Sequence, residues 1–286
     1  MRARWYSIIN DIKLLIDTIK KLIPELERPN QRGRKPKRSL KDYLSLIVAK
    51  EARKASLRDA EASLSELVCN ERIPKSTIAY WEAKFDSNLI ERLVKAVGSK
   101  IEQLLGYIFS VIDSTKFTSW NKSLVEFHLL VRKATSIVYP VAIAFGSSFL
   151  TPLKALVKGN GELLADAWYD NNLILKQMFE AGYLPIVKPN KGRGRKYYRR
   201  KARKIWNSPL IKLEERYRNR GIGESIFGSL TNWLGDRLKT SLISSTITRI
   251  GARIIAYLAR IYIRITSFIM NFWTRSLQVL NNDAKN

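Results

Sequence analysis

Acidic residues are scarce in this chain: 25 Asp and Glu stand against 51 Lys and Arg, a formal net charge of +26 over 286 residues. A carboxylate placed where it opposes the binding of polyanions therefore asks for a chemical reason. Asp113 closes the apolar run VIDSTKF, and Asp166 closes a second run, LLADAWYD. Both are expected at the carboxyl edge of a sheet, where α/β proteins gather their sites. Glu224 lies in YRNRGIGESIFGSL, on a predicted helix whose one face carries Tyr217, Arg220, Glu224 and Phe227 at steps of three and four. Three carboxylates around one pocket repel one another unless divalent cations neutralise them. Mg2+ suits such oxygen ligands, with Mn2+ as the alternative, and a pair of these ions ~3.5–4 Å apart can activate an attacking oxygen and stabilise a leaving one in phosphodiester chemistry. The competing reading makes Asp113 and Asp166 ordinary strand-end turn residues.

The elements that must position these residues follow from periodicity. Apolar residues from Ile8 to Leu22 recur at helical spacing, so a helix is expected over Trp5–Leu26, ending near Pro24. Ser39 and Ser56 are placed to cap the next helices, the first over Leu40–Lys54, and short helices continue to Phe85. A further helix spans Asn88 to Leu104. Thereafter the texture is β-branched and aromatic, predicting strands at 107–113, 124–132 and 135–145. A fourth strand at 162–166, a helix at 171–181 and a fifth strand at 183–188 complete the order of an RNase H-like mixed sheet, an α/β fold with flanking helices.

Two basic segments stand out. Arg28–Lys41 holds seven basic residues and no acidic one, broken by Pro29, Gly33 and Pro36, and reads as a basic arm. Lys191–Arg220 holds 13 basic residues and two acidic ones and reads as a basic insertion before the last helices. Near the C-terminus, Thr240–Arg275 is rich in Ile, yet Arg249, Arg253, Arg260 and Arg264 interrupt it, so no run reaches the ~18 apolar residues of a membrane span. These arginines share one helical face, either solvated or in contact with phosphate, on a helix otherwise suited to core packing.

Composition narrows the class. Hydrophobic residues at 45% exclude a disordered chain. The single Cys69 excludes an internal disulfide, and with the lone His128 it excludes a zinc cluster. His128, on a predicted strand, reads as a packed or surface residue. Met1–Tyr6 is basic and aromatic and leads into an amphipathic run, so no secretory signal is read there. The charge favours nucleic acid as partner over anionic membrane.

The three blocks resemble those of DDE transposases of bacterial and archaeal insertion sequences, in the families whose DDE domain carries no large insertion. VIDSTKF is similar to the block with the first Asp, LLADAWYDNN to the A-D-x-x-Y-D block, and YRNRGIGESIFGSL to the Y-x-x-R-x-x-x-E block. The spacings of 53 positions from Asp113 to Asp166 and 58 from Asp166 to Glu224 fit as well, and the resemblance covers residues 105–240. It implies that Asp113, Asp166 and Glu224 are the catalytic, metal-binding triad, and that Tyr217 and Arg220 contact the DNA end. Asp170 reads as an N-cap. Two departures are visible. The signature continues with a Lys seven residues after the Glu, where this chain has Thr231, with Lys239 or Arg237 as substitutes. Gly221 and Gly223 also sit in the signature helix, each costing on the order of 1 kcal/mol relative to Ala.

The N-terminal region resembles the helical domain with which such enzymes read their terminal repeats. SLRDAEASLSELVCNERIPKSTIAYWEAKF has the length of a helix-turn-helix, with Pro74–Phe85 as second helix and Lys75, Ser76, Thr77 and Tyr80 toward the major groove. Arg32, Arg34, Lys35, Lys37 and Arg38 of the arm read as phosphate or minor-groove contacts. The organisation expected is a helical DNA-binding domain over 1–104 with its arm at 28–41, an RNase H-like catalytic domain over 105–240 and a helical tail over 241–286. The implied activity is metal-dependent cleavage at the ends of an insertion sequence and transfer of the 3′-hydroxyl ends to target DNA. The alternatives are a relic that only binds DNA and a structure-specific nuclease of the same fold. The implied partners are duplex DNA, as terminal inverted repeats and target, and a second copy in a homodimer, without a membrane, in the cytoplasm at the nucleoid.

Overall fold

The computed structural model of the protein describes residues 11–26, 35–191, 195–208, 217–234 and 237–283. Helix α1 (Ile12–Leu22) starts where the Asp11 carboxylate accepts the backbone N–H groups of Lys13 and Leu14; the part of the expected helix before it lies outside the described residues. Ser39 caps α2 (Leu40–Ala52), which is buried along almost its whole circumference. A capping box formed by Ser56 and Asp59 opens α3 (Leu57–Asp59). A π-helical turn (Ala60–Leu64) leads into α4 (Ser65–Cys69), which ends at Asn70 in the left-handed region. Helices α5 (Lys75–Lys84) and α6 (Ser87–Leu105) follow, the latter capped by Asp86.

Strands β1 (Phe109–Ser119), β2 (Leu124–Lys133) and β3 (Val138–Phe145) form an antiparallel meander. Pro140 is tolerated in β3 because β3 is an edge strand and its register with β2 shifts there. Helix α6 packs on this strand so closely that a Cβ at Gly98 would meet Val141 Cα at 2.6 Å. After the short α7 (Thr151–Ala155), β4 (Glu162–Ala165) pairs parallel with β1, α8 (Asn172–Glu180) crosses over, and β5 (Leu184–Val187) pairs parallel with β4. The order β3-β2-β1-β4-β5, mixed and flanked by helices, is that of an RNase H-like fold, preceded by an N-terminal helical region. Helices α9 (Tyr197–Trp206) and α10 (Gly221–Leu234) come next, then the two-residue β6 (Arg237–Leu238).

Two elements differ from the sequence reading. Asp113 does not close β1: the strand runs on to Ser119, because its second half pairs with the first half of β2 from Ser114↔His128 to Thr118↔Leu124. The basic insertion contains a regular ten-residue helix, α9.

The last helix, α11 (Ile243–Asp283), returns across the N-terminal helices. Its residues Ile254, Ile255, Leu258 and Ala259 are fully buried in the same core as α1, α2 and α6, each large side chain worth roughly 1.5–3 kcal/mol. The expected core-packing helix is present, but its arginine face is largely neither solvated nor offered to phosphate. Arg249 holds Glu82 at 2.8 Å, and Arg253 donates to Glu51 at 2.9 Å. Lys50 completes the group, 2.6 Å from Glu51 and 3.0 Å from Glu82. Burial alone would raise the Glu51 pKa, yet Lys50, Arg253 and Arg249 outweigh it and hold the carboxyl below its ordinary value. Burial pushes the Arg260 guanidinium down to about 10, and only Arg264 of the four faces solvent. Among the described residues, no helix is long and apolar enough to cross a membrane.

Candidate active site

The parallel register of β1 and β4 brings the two aspartates onto one face of the sheet. Ser110 stands opposite Leu163 and Val111 opposite Leu164. Asp113 and Asp166 each lie two residues beyond the second pair, and a step of two keeps a side chain on its face. That face carries a small apolar patch of Val111, Leu164 and Ile186, with Trp206 and Tyr217 packed on it. The outer edge of β1 pairs with β4 at 110–111 and with β6 at 118–119, so Asp113 sits where the neighbouring strand diverges. Sheets of this kind hold their ligands in such a cleft.

Asp113 is 8% exposed, and its Oδ1 accepts the Ser114 N–H at 2.9 Å. The half-buried Asp166 accepts the Trp168 N–H at 2.9 Å, which caps a single 3-10 turn, Ala167–Tyr169. Helix α10 supplies the third carboxylate. At Gly223 the helix backbone rests on β1, so that an added Cβ would stand 3.0 Å from Val111 Cγ1 and 3.6 Å from Asp113 Cβ. The glycine that reads as a helix-weakening departure is thus the contact that brings α10 against Asp113. Glu224 is the next residue, its side chain 59% exposed.

Arg220 spans the pocket. Its Nη2 lies 2.8 Å from Glu224 Oε1 and its Nη1 lies 3.7 Å from Asp113 Oδ2. Burial raises the Asp113 pKa, the nearby charges of Asp166 and Glu224 add to the rise, and the Ser114 N–H and Arg220 oppose it. Tyr217 is raised by burial too, with the charges of Asp166, Asp113 and Glu224 contributing and Arg220 opposing. All three carboxylates therefore act on one locality. Among the described residues no group of His, Cys, Asp and Glu is drawn together tightly enough to hold a metal ion. By type the donors are carboxylate oxygens only, the kind Mg2+ takes, one of them desolvated, and in this structure the Arg220 guanidinium stands between two of them as the counter-charge.

The residues expected to touch DNA are dispersed. Tyr217 packs edge-on against Trp206 at 5.1 Å. Lys35 and Lys37 are exposed, while Arg38 is engaged with Glu71 at 2.8 Å. Arg32 and Arg34 lie outside the described residues. Lys75, Ser76 and Tyr80 are exposed along α5, and Thr77 is half-buried. Thr231, in the place of the signature Lys, donates its hydroxyl to the Phe227 and Gly228 carbonyls of its own helix.

Two features behind the site escape a reading of isolated motifs. His128 is fully buried on β2 opposite Ser114, its Nδ1 2.8 Å from the Tyr169 hydroxyl and its ring stacked 5.2 Å from Trp168. Asp170 is not an N-cap: Asn171 caps α8, and the buried Asp170 accepts Arg199 in two bonds of 3.0 and 2.6 Å as well as the Asn190 N–H. The D-x-x-Y-D spacing from Asp166 to Asp170 was the available signal for both.

Residues 141–259 match the family described as the transposase DDE domain. The match takes in Asp166 and Glu224 and begins after β1, which carries Asp113. No curated protein matches the chain.

Proposed function

We propose that the chain, whose residues 141–259 match the family described as the transposase DDE domain, is a DNA transposase acting on the ends of its own insertion sequence. The observation that carries the reading is the common face of Asp113 and Asp166, set by the β1–β4 register, with α10 seated on Asp113 through Gly223. Asp113, Asp166 and Glu224 would hold Mg2+, with Mn2+ as a substitute. When bound, the metal supplies a lowered pKa for an attacking oxygen and a counter-charge for the leaving one.

The chemistry proposed is two in-line displacements at phosphorus. Water attacks the phosphodiester at the element end; the new P–O bond forms as the old one breaks, and a free 3′-hydroxyl leaves. That hydroxyl then attacks a phosphodiester of target DNA, so one P–O bond is exchanged for another without a covalent protein intermediate. Arg220, already between two carboxylates, is placed to transfer its fork to a phosphate as the substrate arrives. Tyr217 borders the same cleft. The helical region of residues 1–104, with its arm and the exposed Lys75 and Tyr80 of α5, would hold the terminal repeat. Two ends must be handled together, which calls for a homodimer working at the nucleoid in the cytoplasm.

The second reading, a relic that only binds DNA, is favoured by Thr231 in place of the signature Lys. A joining assay decides between them. Labelled duplex carrying the DNA that flanks the coding sequence is incubated with Mg2+ and a circular target. Joined products from the wild type, absent with Asp113→Ala, support the transposase. Cleavage without joining supports a nuclease, and salt-sensitive binding with neither supports the relic.

A further inference from the structure

Helix α9 lies in a stretch free of acidic residues from Ala181 to Leu213. Its exposed residues are Tyr197, Arg200, Lys201 and Lys204, at steps of three, one and three, so they form one face, which Lys196 extends by one turn. Like charges four residues apart destabilise a helix, and here Lys196, Arg200 and Lys204 repeat at that interval. A run of cations is ordinarily a solvated face, but this one is fixed in place at both ends.

At its start, the Tyr198 N–H bonds to Asn172 Oδ1 at 3.1 Å, and the buried Asp170 grips Arg199. Arg203 reaches back to the Asn190 carbonyl at 2.8 Å, and Asn190 donates to the Ala167 carbonyl at 2.7 Å. At its end, Trp206 packs on Tyr217 and on the apolar patch beneath Asp113 and Asp166. The inner face thus consumes Arg199 and Arg203 in anchoring, and the cations turned outward meet no acidic side chain among the described residues. Two of the anchors, Asp170 and Ala167, belong to the same turn as Asp166. The outward face is therefore held at a set place beside the catalytic cleft.

We infer that the outer face of α9 is a binding surface for the phosphate backbone of duplex DNA, aligned with the cleft by the Asp170–Arg199 clamp. A helix of ten residues is about 15 Å long. Over that length a duplex presents roughly nine phosphate charges, counting both strands. Tyr197, 61% exposed at the first turn, adds a hydroxyl donor to the row of cations. The inference deepens the reading of the chain as a DNA-acting enzyme and rests on it.

The test is equilibrium binding of a fluorescein-labelled duplex of arbitrary sequence across a salt series. The proteins compared are the wild type, the triple variant Lys196→Ala/Arg200→Ala/Lys204→Ala, and an equal-charge control at exposed lysines outside both α9 and residues 1–104, Lys122→Gly/Lys154→Ala/Lys158→Ala. The slope of log K against log salt should fall by about 2–3 in the α9 variant, at ~0.9 per lost phosphate contact. Its affinity should weaken by tenfold or more, while the control stays near the wild type. An unchanged slope, or an equal fall in the control, overturns the proposal. Asp170→Asn gives a second arm, since it makes the protein more basic and should nonetheless weaken binding by freeing Arg199; a thermal melt confirms that it folds, and tighter binding contradicts the clamp. These measurements need no cleavage, so a wild type that binds through α9 but never cuts would sink the transposase reading and leave this one standing.

Discussion

The Cβ that Gly223 lacks would stand 3.6 Å from the Cβ of Asp113. The proximity of α10 to the strand that carries the first carboxylate is thus set by the absence of a side chain. Gly223→Val should push α10 off β1 and reduce DNA cleavage by tenfold or more in a steady-state assay. Gly228→Ala is the control on the same helix, because an added Cβ there meets nothing within 4 Å. It should raise stability by about 0.5–1 kcal/mol in urea denaturation, the usual gain of Ala over Gly in a helix.

The raised pKa of Asp113 carries a sign for stability. The folded protein holds that proton more tightly than the unfolded chain, whose value is near 3.8. The contribution favours folding below that pH and is lost as pH rises through the folded value, leaving a charged, desolvated carboxylate at neutrality. Asp113→Asn should therefore melt higher than the wild type at pH 7, with the difference vanishing in acid. Saturating Mg2+ should narrow the gap by stabilising the wild type alone.

His128 has the opposite sign. Burial pushes its imidazole down to about 4 from 6.5. The unfolded chain takes up the proton first as pH falls, so stability present above pH 6.5 is lost progressively toward pH 4, by on the order of 3 kcal/mol. In His128→Phe the unfolding free energy should lose this slope between the two values. Urea melts at half-unit pH steps measure it.

The group of Lys50, Glu51, Glu82, Arg249 and Arg253 joins α2, α5 and α11 through buried charges. Removing one member leaves others desolvated without compensation, so Glu51→Ala should cost roughly 3–5 kcal/mol. Exposed pairs such as Lys176–Glu180 should cost well under 1 kcal/mol when broken. Paired denaturant melts of Glu51→Ala and Glu180→Ala compare the two.

The sheet order, the capped helices and the two aspartates as candidates were legible because each rests on local signals: β-branched runs, Ser39 and Ser56 before apolar periodicity, and acids where a basic chain has few; the place of Asp113 at a strand end was not, since it lies inside β1. What the sequence concealed depends on partners far along the chain. The arginines of α11 read as a solvated or phosphate face because Glu82 and Glu51, which bind Arg249 and Arg253, lie 167 and 202 residues away. Helix α9 was hidden by its own charge, and what holds it is the Arg199 bond to an aspartate 29 residues earlier. The second half of β1, STKFTS, is too polar to announce a strand and exists by pairing with β2. Gly223 looked like a flaw until the strand beneath it was in view.

The central claim is that Asp113, Asp166 and Glu224 serve one metal-dependent site. The most direct measurement is the rate of Mg2+-dependent cleavage of an end-labelled duplex by Asp113→Asn, Asp166→Asn and Glu224→Gln, beside the wild type, with DNA affinity measured in parallel. The account predicts that each substitution lowers the rate by a thousandfold or more while DNA binding is kept or strengthened. Any one of the three cutting at the wild-type rate would contradict it.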